Sequence, residues 1–137
     1  MSLIRPGRLF SSKRRTIAAS TALRYAVFGY ISASDPPALT DRAVEGLLHG
    51  LGLHTDTLTA RRVLVRDDPR VDLDRVTCPV SLVWGARDRQ VDIDDAFEFA
   101  RRLGAPLRVI ADCGHLLIAE RPDACAAAIC DALDGVR

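Results

Sequence analysis

Apolar residues recur at helical spacing through the first half of the chain. Over residues 14–31 they fall on more than one side of a helix, which predicts an element packed between partners rather than lying on a surface. Pro36 and Pro37 end this segment, because proline does not continue a helix. A second helix is predicted after Thr40 or Asp41 as N-cap, and it is expected to end at Gly50 and Gly52. Its apolar stripe follows the i, i+3, i+4, i+7 spacing at Val44, Leu47, Leu48 and Leu51. A third helix is predicted over residues 57–66, and residues 70–75 form a polar connector.

The pattern changes to β-α-β-α after Pro79. Two short apolar runs, over residues 80–84 and 107–111, predict strands, and a helix with the apolar spacing of residues 93–103 lies between them before Gly104. Pro122 opens a last helix. We expect that helix to have a buried stripe at Cys125, Ala128, Ile129, Ala132 and Leu133. The sequence therefore predicts an α/β protein in which two parallel strands are flanked by helices.

Two strands joined by one helix make a poor sheet by themselves. Parallel sheets bury both faces and usually contain several strands. Both predicted strands would keep an open edge unless another element pairs with them. This pattern suggests that the chain is part of a larger fold or depends on a partner.

Composition narrows the function classes. The net charge of +1 over 137 residues argues against a dedicated nucleic-acid binder. Residues 1–34 nevertheless carry six basic and no acidic side chains. We expect residues 1–12 to form a disordered basic leader. The alternative is that this basic start is a transit peptide or an anion-binding arm. No run reaches the about 18 consecutive apolar residues of a membrane span, and the nearest, residues 16–31, contains Arg24. The four cysteines form no C-x-x-C pair, which favours reduced thiols in a cytoplasmic protein. Arginine dominates the basic residues, as is typical of a GC-rich bacterial genome.

Neither a metal site nor a cofactor is predicted. His49 and His54 are five positions apart, which differs from the i, i+4 spacing of a helical metal pair. The residues that suggest chemistry are Asp88, just after the first strand, and His115, just after the second. Parallel strands joined by a helix place both loops at the same edge of a sheet, so these two side chains are expected to meet although they lie 27 positions apart.

Two segments resemble the α/β-hydrolase family. VTCPVSLVWGARD (residues 76–88) is similar to the penultimate core strand and acid loop of these enzymes, and CGHLLIAERP (residues 113–122) is similar to their histidine loop and the start of their last helix. The resemblance implies that residues 76–137 are the C-terminal part of an α/β-hydrolase core and that residues 13–75 are a helical cap-like segment. It also implies an esterase- or lipase-like hydrolase acting on a small ester-like molecule. Asp88 would orient the imidazole, and His115 would be the general base.

The family's nucleophile has no counterpart in this sequence. A nucleophile elbow needs Gly-x-Ser-x-Gly, and none of the seven serines has glycine two positions away on either side. No His-Gly segment from an earlier strand offers oxyanion-hole amides. We therefore expect a truncated chain that is inactive alone. Cys113, two residues before His115, is a substitute thiol only if its pKa is lowered.

Three other interpretations remain open. The chain could be a non-catalytic module whose open strand edge pairs with a partner chain or with a second copy. It could be a degraded fragment without function, in which case it should fold poorly. An intact small enzyme that uses Cys113 is the last alternative, and its activity should vanish on Cys113→Ala.

Overall fold

The computed structural model describes residues 6–29, 32–53, 62–63 and 66–135. The chain divides into two compact units, one comprising Met1–Val27 and Pro36–Asp68 and the other Phe28–Asp35 and Pro69–Arg137. Residues 28–35 thus group with the strands, and the interpretation of residues 13–75 as a cap stays a prediction. The helices are α1 (Pro6–Ser12), α2 (Arg14–Ala18), α3 (Thr21–Phe28), α4 (Asp41–Leu53), α5 (Ile93–Leu103), α6 (Leu117–Glu120) and α7 (Pro122–Asp134). The strands are β1 (Leu82–Gly85) and β2 (Leu107–Ile110), and 3-10 turns span Pro36–Ala38 and Pro69–Arg75.

The first unit is built on α4, which contacts both α1 and α2. The backbones of α1 and α4 approach closely, since a Cβ added at Gly7 would lie 2.4 Å from the carbonyl oxygen of Leu51. The helix at Pro6–Ser12 differs from the disordered leader that the sequence predicted for these residues. Its stability comes from packing on α4, which a local pattern does not reveal.

The helix predicted over residues 14–31 is divided into α2 and α3. The chain breaks at Ser20, whose hydroxyl accepts a hydrogen bond from the backbone N–H of Leu23 at 3.4 Å. Serine favours such capping geometry over a helix interior. Arg24, which is buried, reinforces the break because its Nε donates to the carbonyl of Ala18 at 2.8 Å.

Helix α4 continues through both glycines that were expected to end it. Its predicted start is confirmed, since the Thr40 hydroxyl accepts from the backbone N–H of Ala43 at 3.2 Å. Gly52 has a packing role, because a Cβ there would lie 2.5 Å from the Cβ of Ser11. A glycine inside a helix costs about 1 kcal/mol relative to alanine, and close contact with α1 offsets that cost. The third predicted helix falls largely on residues outside the described ranges.

The second unit contains the predicted β-α-β arrangement. Strands β1 and β2 pair in parallel, with Leu82 opposite Leu107 and Gly85 opposite Ile110. Helix α5 joins them over the predicted residues. Its N-cap is Asp92, whose carboxylate accepts from the N–H of Asp94 at 3.0 Å, and it ends at Gly104 in the left-handed conformation.

The last helix begins at Pro122 as predicted, but its apolar stripe is only partly buried. Cys125 and Ala128 are buried, whereas Ile129 and Leu133 are 55% and 62% exposed. A two-stranded sheet offers too little apolar surface to cover the full stripe. None of the helices within the described ranges is both long and apolar enough to cross a bilayer.

Candidate active site

The loops that follow β1 and β2 lie against each other. Ala86, just past β1, donates its N–H to the carbonyl of Ile110 at 2.9 Å and so extends the sheet bonding by one residue. The N–H of Arg87 then donates to the carbonyl of Cys113 at 2.8 Å. These two bonds hold the acid loop directly beside the histidine loop, as the parallel topology predicted.

Gly85 allows this close approach. A Cβ at this position would lie 2.3 Å from the carbonyl oxygen of Gly114 and 2.5 Å from that of Cys113. Both neighbours are backbone atoms, which cannot rotate away as a flexible side chain could. Any residue other than glycine would therefore push the two loops apart.

Asp88 and His115 meet across the two loops. His115 Nδ1 lies 2.9 Å from Asp88 Oδ2. The other carboxylate oxygen accepts hydrogen bonds from the backbone N–H groups of Gln90, at 2.8 Å, and Val91, at 3.1 Å. The Asp88 side chain is only 4% exposed, whereas the imidazole is 37% exposed. The carboxylate is thus fixed inside the loop while the ring remains accessible.

The charge of Asp88 determines the tautomer of His115. Burial alone would raise the pKa of the Asp88 carboxyl, but the hydrogen bonds from His115, Gln90 and Val91 outweigh burial and lower this pKa. The carboxylate is ionised at neutral pH and can only accept. Nδ1 must then carry the proton of the neutral ring, which leaves a lone pair on Nε2. A histidine in this state can remove a proton at Nε2.

Four further residues hold the two loops, and sequence reasoning did not assign a role to any of them. The carbonyl of Ser32 accepts from the N–H of His115 at 2.9 Å. The side chain of Gln90 donates to the hydroxyl of Ser32, and the carboxylate of Glu120 accepts from the N–H of Ser34. Glu120 belongs to the segment that resembles the histidine loop. Ser32 and Ser34 lie far away in the sequence, and no pattern in the chain indicated them.

Cys113 does not have the properties of a nucleophile. The thiol is fully buried, and this burial, with a smaller contribution from the nearby Glu120, raises its pKa to about 11. It therefore stays protonated at neutral pH, and the thiolate is the reactive form. These findings argue against the small cysteine enzyme that the sequence left open.

The other reactive groups do not complete a triad within the described ranges. Ser81 precedes β1 rather than following a strand, and Ser32 and Ser34 lie in an irregular segment. No group of three or more His, Cys, Asp or Glu side chains suited to a metal ion occurs among the described residues. The site as described consists of the Asp88 carboxylate and the His115 imidazole.

Comparisons with known proteins place these observations in a family. A family model described as "Alpha/beta hydrolase family" matches residues 2–128. Monoacylglycerol lipase ABHD6 from Mus musculus is 30% identical over 66 residues, and that from Homo sapiens is 29% identical over 66. Each match covers 47% of this chain and 20% of the relative, so the alignment spans about a fifth of the length of these relatives.

Two solved structures share the fold. A membrane phospholipase A, described as a bacterial virulence factor, superposes with a TM-score of 0.62 at 22% identity, covering 88% of this chain and 40% of that one. The 2-hydroxy-6-oxo-6-phenylhexa-2,4-dienoate hydrolase from Rhodococcus sp. strain RHA1 gives 0.55 at 20% identity, covering 98% and 51%. The chain belongs to the alpha/beta hydrolase family, and the predicted partial α/β-hydrolase core is confirmed.

Proposed function

We propose that this chain supplies the acid and the base of an esterase- or lipase-like hydrolase. His115 is the general base and Asp88 is the acid that orients it. The observation that carries this proposal is the 2.9 Å contact between His115 Nδ1 and Asp88 Oδ2, made by a carboxylate that two backbone N–H groups also hold. A monoacylglycerol lipase and a phospholipase are among the similar proteins, which supports a small ester as the substrate class.

The mechanism follows from the proton positions. Nε2 of His115 removes the proton of a hydroxyl nucleophile as it attacks the ester carbonyl, and the imidazolium that forms is stabilised by the ionised Asp88. The protonated ring then delivers its proton to the leaving alcohol, and the acyl group stays on the nucleophile. His115 next removes a proton from a water molecule, which attacks the acyl group and releases it as the carboxylic acid while the nucleophile regains its proton. The nucleophile comes from residues other than these 137, because the sequence contains no Gly-x-Ser-x-Gly. The four free cysteines support a reducing, cytoplasmic location.

The test is an ester-hydrolysis assay on the chain alone and on the chain joined to the polypeptide encoded upstream in the same reading frame. With p-nitrophenyl butyrate, we expect no turnover by the chain alone and turnover by the joined protein. His115→Ala should lower kcat by at least about 10³-fold, and Asp88→Asn by about 10²- to 10⁴-fold.

Asp112→Asn is the matched control. Asp112 is an exposed acid of the same histidine loop and pairs with Arg87 rather than with the imidazole, so its variant should keep a rate within about threefold of the parent, as surface substitutions usually do. An upstream frame without Gly-x-Ser-x-Gly would contradict the proposal. So would a joined protein that hydrolyses the ester equally well with His115→Ala.

A second candidate function is that of a module that pairs its strand edge with another copy of this chain. Among the described residues, β1 and β2 bond only to each other. Leu82 and Ala86 direct their N–H groups to β2. Because successive N–H groups along a strand point to opposite edges, the N–H of Val83, directly after Leu82, faces away from β2. An unpaired edge of this kind is a template for strand addition.

Sedimentation of the purified chain over a range of concentrations tests this second function. Val83→Pro removes the outward N–H and keeps the bonds to β2, as proline is tolerated at a strand edge. Association that Val83→Pro abolishes supports the module, and Val109→Pro on β2 serves as the control for the other edge. A chain that stays monomeric at every concentration argues against self-pairing.

A further inference from the structure

Residues 32–34 contact both the acid loop and the histidine loop. The carbonyl oxygen of Ser32 accepts from the backbone N–H of His115 at 2.9 Å and from that of Leu116 at 3.2 Å. The hydroxyl of Ser32 accepts from Gln90 Nε2 at 3.0 Å, and the N–H of Gln90 donates to Asp88. One serine therefore links the backbone of the base to the loop that holds the acid.

Glu120 fixes residues 32–34 against the histidine loop. Its Oε1 accepts from the N–H of Gly114 at 3.1 Å, and its Oε2 accepts from the N–H of Ser34 at 2.8 Å. The hydroxyl of Ser34 also lies 2.5 Å from Oε2. Gly114 directly precedes His115, so the Glu120 carboxylate binds the backbone of the residue next to the base.

The space around Gly114 is too small for any residue with a side chain. A Cβ at this position would lie 2.8 Å from the backbone nitrogen of Ser34 and 2.9 Å from Oε1 of Glu120. The histidine loop, residues 32–34 and the carboxylate are therefore in direct contact at the same point. A shift of any one of them moves the other two.

Because Glu120 is buried, its hydrogen bonds are needed to stabilise its carboxylate. The residue is only 9% exposed, and a buried carboxylate is costly unless donors surround it. Here the donors are two backbone N–H groups and a hydroxyl, which lie on two segments that are 80 positions apart at Ser34 and Gly114. Without the carboxylate, the buried N–H of Gly114 and the partly buried donors of Ser34 would lose their acceptor, and the two segments would lose their common anchor.

We infer that Glu120, acting through Gly114 and residues 32–34, is a positioning residue that fixes the backbone of His115 so that Nδ1 meets Asp88. This inference rests on the proposed role of His115 as the base. Glu120 does not touch the imidazole and takes no part in proton transfer. Its effect is on the orientation of the ring, and therefore on the tautomer that the ring adopts.

Nitrogen-15 NMR of the 137-residue chain tests the inference without requiring turnover. His115→Ala identifies the His115 signals among those of the three histidines. In the neutral ring of the parent we expect the proton on Nδ1 and a lone pair on Nε2, with a downfield Nδ1 proton. Glu120→Gln keeps the size of the side chain and offers only one acceptor oxygen. It should lose the downfield proton and give a mixture of the two tautomers.

Three controls separate positioning from general destabilisation. Glu98→Gln removes a carboxylate of the same unit that pairs with Arg101, and it should leave the His115 signals unchanged. Ser34→Ala should weaken the downfield signal, and Ser34→Thr, which keeps the hydroxyl, should restore it. Ala96→Gly destabilises α5 at a fully buried position that makes no hydrogen bond to either loop through its side chain, and it should also leave the tautomer unchanged.

The outcomes distinguish this inference from the proposed function. A folded Glu120→Gln variant with the parent tautomer and the downfield proton would overturn the positioning role and leave the acid–base pair intact. A parent chain without the Nδ1 tautomer would contradict both. In the joined protein, Glu120→Gln should lower kcat by about 10²-fold with KM nearly unchanged, because a misplaced base loses rate rather than substrate affinity.

Discussion

Replacing Gly85 by alanine should damage the fold and the candidate site together. Gly85 is the last residue of β1 and lies where the acid loop passes the histidine loop. The new methyl group would lie 2.3 Å from the carbonyl oxygen of Gly114, whereas contacts of a real Cβ stay above 3.0 Å. The loops must therefore separate by at least 0.7 Å at this point.

The size of that displacement sets the expected effects. Overpacking of a closely packed site costs about 1–3 kcal/mol of unfolding free energy. A 0.7 Å movement along the line between His115 Nδ1 and Asp88 Oδ2 would stretch their 2.9 Å contact to about 3.6 Å, which is no longer a hydrogen bond. The variant should thus be less stable and should also lose the protonated Nδ1.

Urea unfolding measures the first effect, and the nitrogen-15 shifts of His115 measure the second. Gly135→Ala is the matched control, because a Cβ there meets only ordinary contacts at 3.5 Å and beyond. We expect its unfolding free energy to stay within about 0.5 kcal/mol of the parent. A Gly85→Ala variant that unfolds at the same urea concentration as the parent and keeps the parent tautomer would show that the two loops accommodate a methyl group at this position.

Three further predictions concern pH and helix stability. Burial raises the pKa of Cys113 from 9.0 to about 11, so an unfolded chain loses this proton between those pH values while the folded chain keeps it. The unfolding free energy should fall by about 3 kcal/mol across that range. Urea titrations under reducing conditions should show a flatter alkaline limb in Cys113→Ser, whereas the exposed Cys78→Ser should match the parent. The pKa of Asp88 is lowered in the folded chain, so its contribution to stability is present at neutral pH. That contribution is lost as the pH falls from about 4 through the folded-state pKa, and Asp88→Asn should have a shallower acid limb than the parent in the same titrations. Gly46 lies inside α4 with open space around the position of a Cβ, so Gly46→Ala should raise the unfolding free energy by about 0.5–1 kcal/mol, as thermal unfolding would show. An unchanged or lower midpoint would indicate a contact at that helix face.

Proline and glycine residues at the ends of helices and strands made the second half of the chain predictable. Pro79, Gly104 and Pro122 mark its element boundaries, and the apolar spacing between them separates strands from helices. The meeting of Asp88 and His115 followed from topology alone, since parallel strands joined by one helix bring both following loops to one edge.

The parts that were not predicted depend on contacts between distant residues. Ser34 and Glu120 are 86 positions apart, and Ser32 and Gln90 are 58 apart. Nothing in a single serine or glutamate indicates such a partner. Helix α1 was missed for the same reason, because a seven-residue helix has little stability of its own and forms against α4.

The contact between Asp88 and His115 is formed entirely within the second unit. Asp88 is held by backbone N–H groups of its own loop, and His115 is held by residues 32–34 and, through Gly114, by Glu120, all of which belong to that unit. The orientation of the imidazole therefore does not require the nucleophile. Consequently an inactive chain with a correctly formed pair is the expected state of this protein alone, and activity should appear only when a hydroxyl nucleophile is placed at Nε2. Measuring the tautomer and the turnover separately tests each half of this argument, because a formed pair without turnover in the joined protein would locate the defect in the nucleophile rather than in the base.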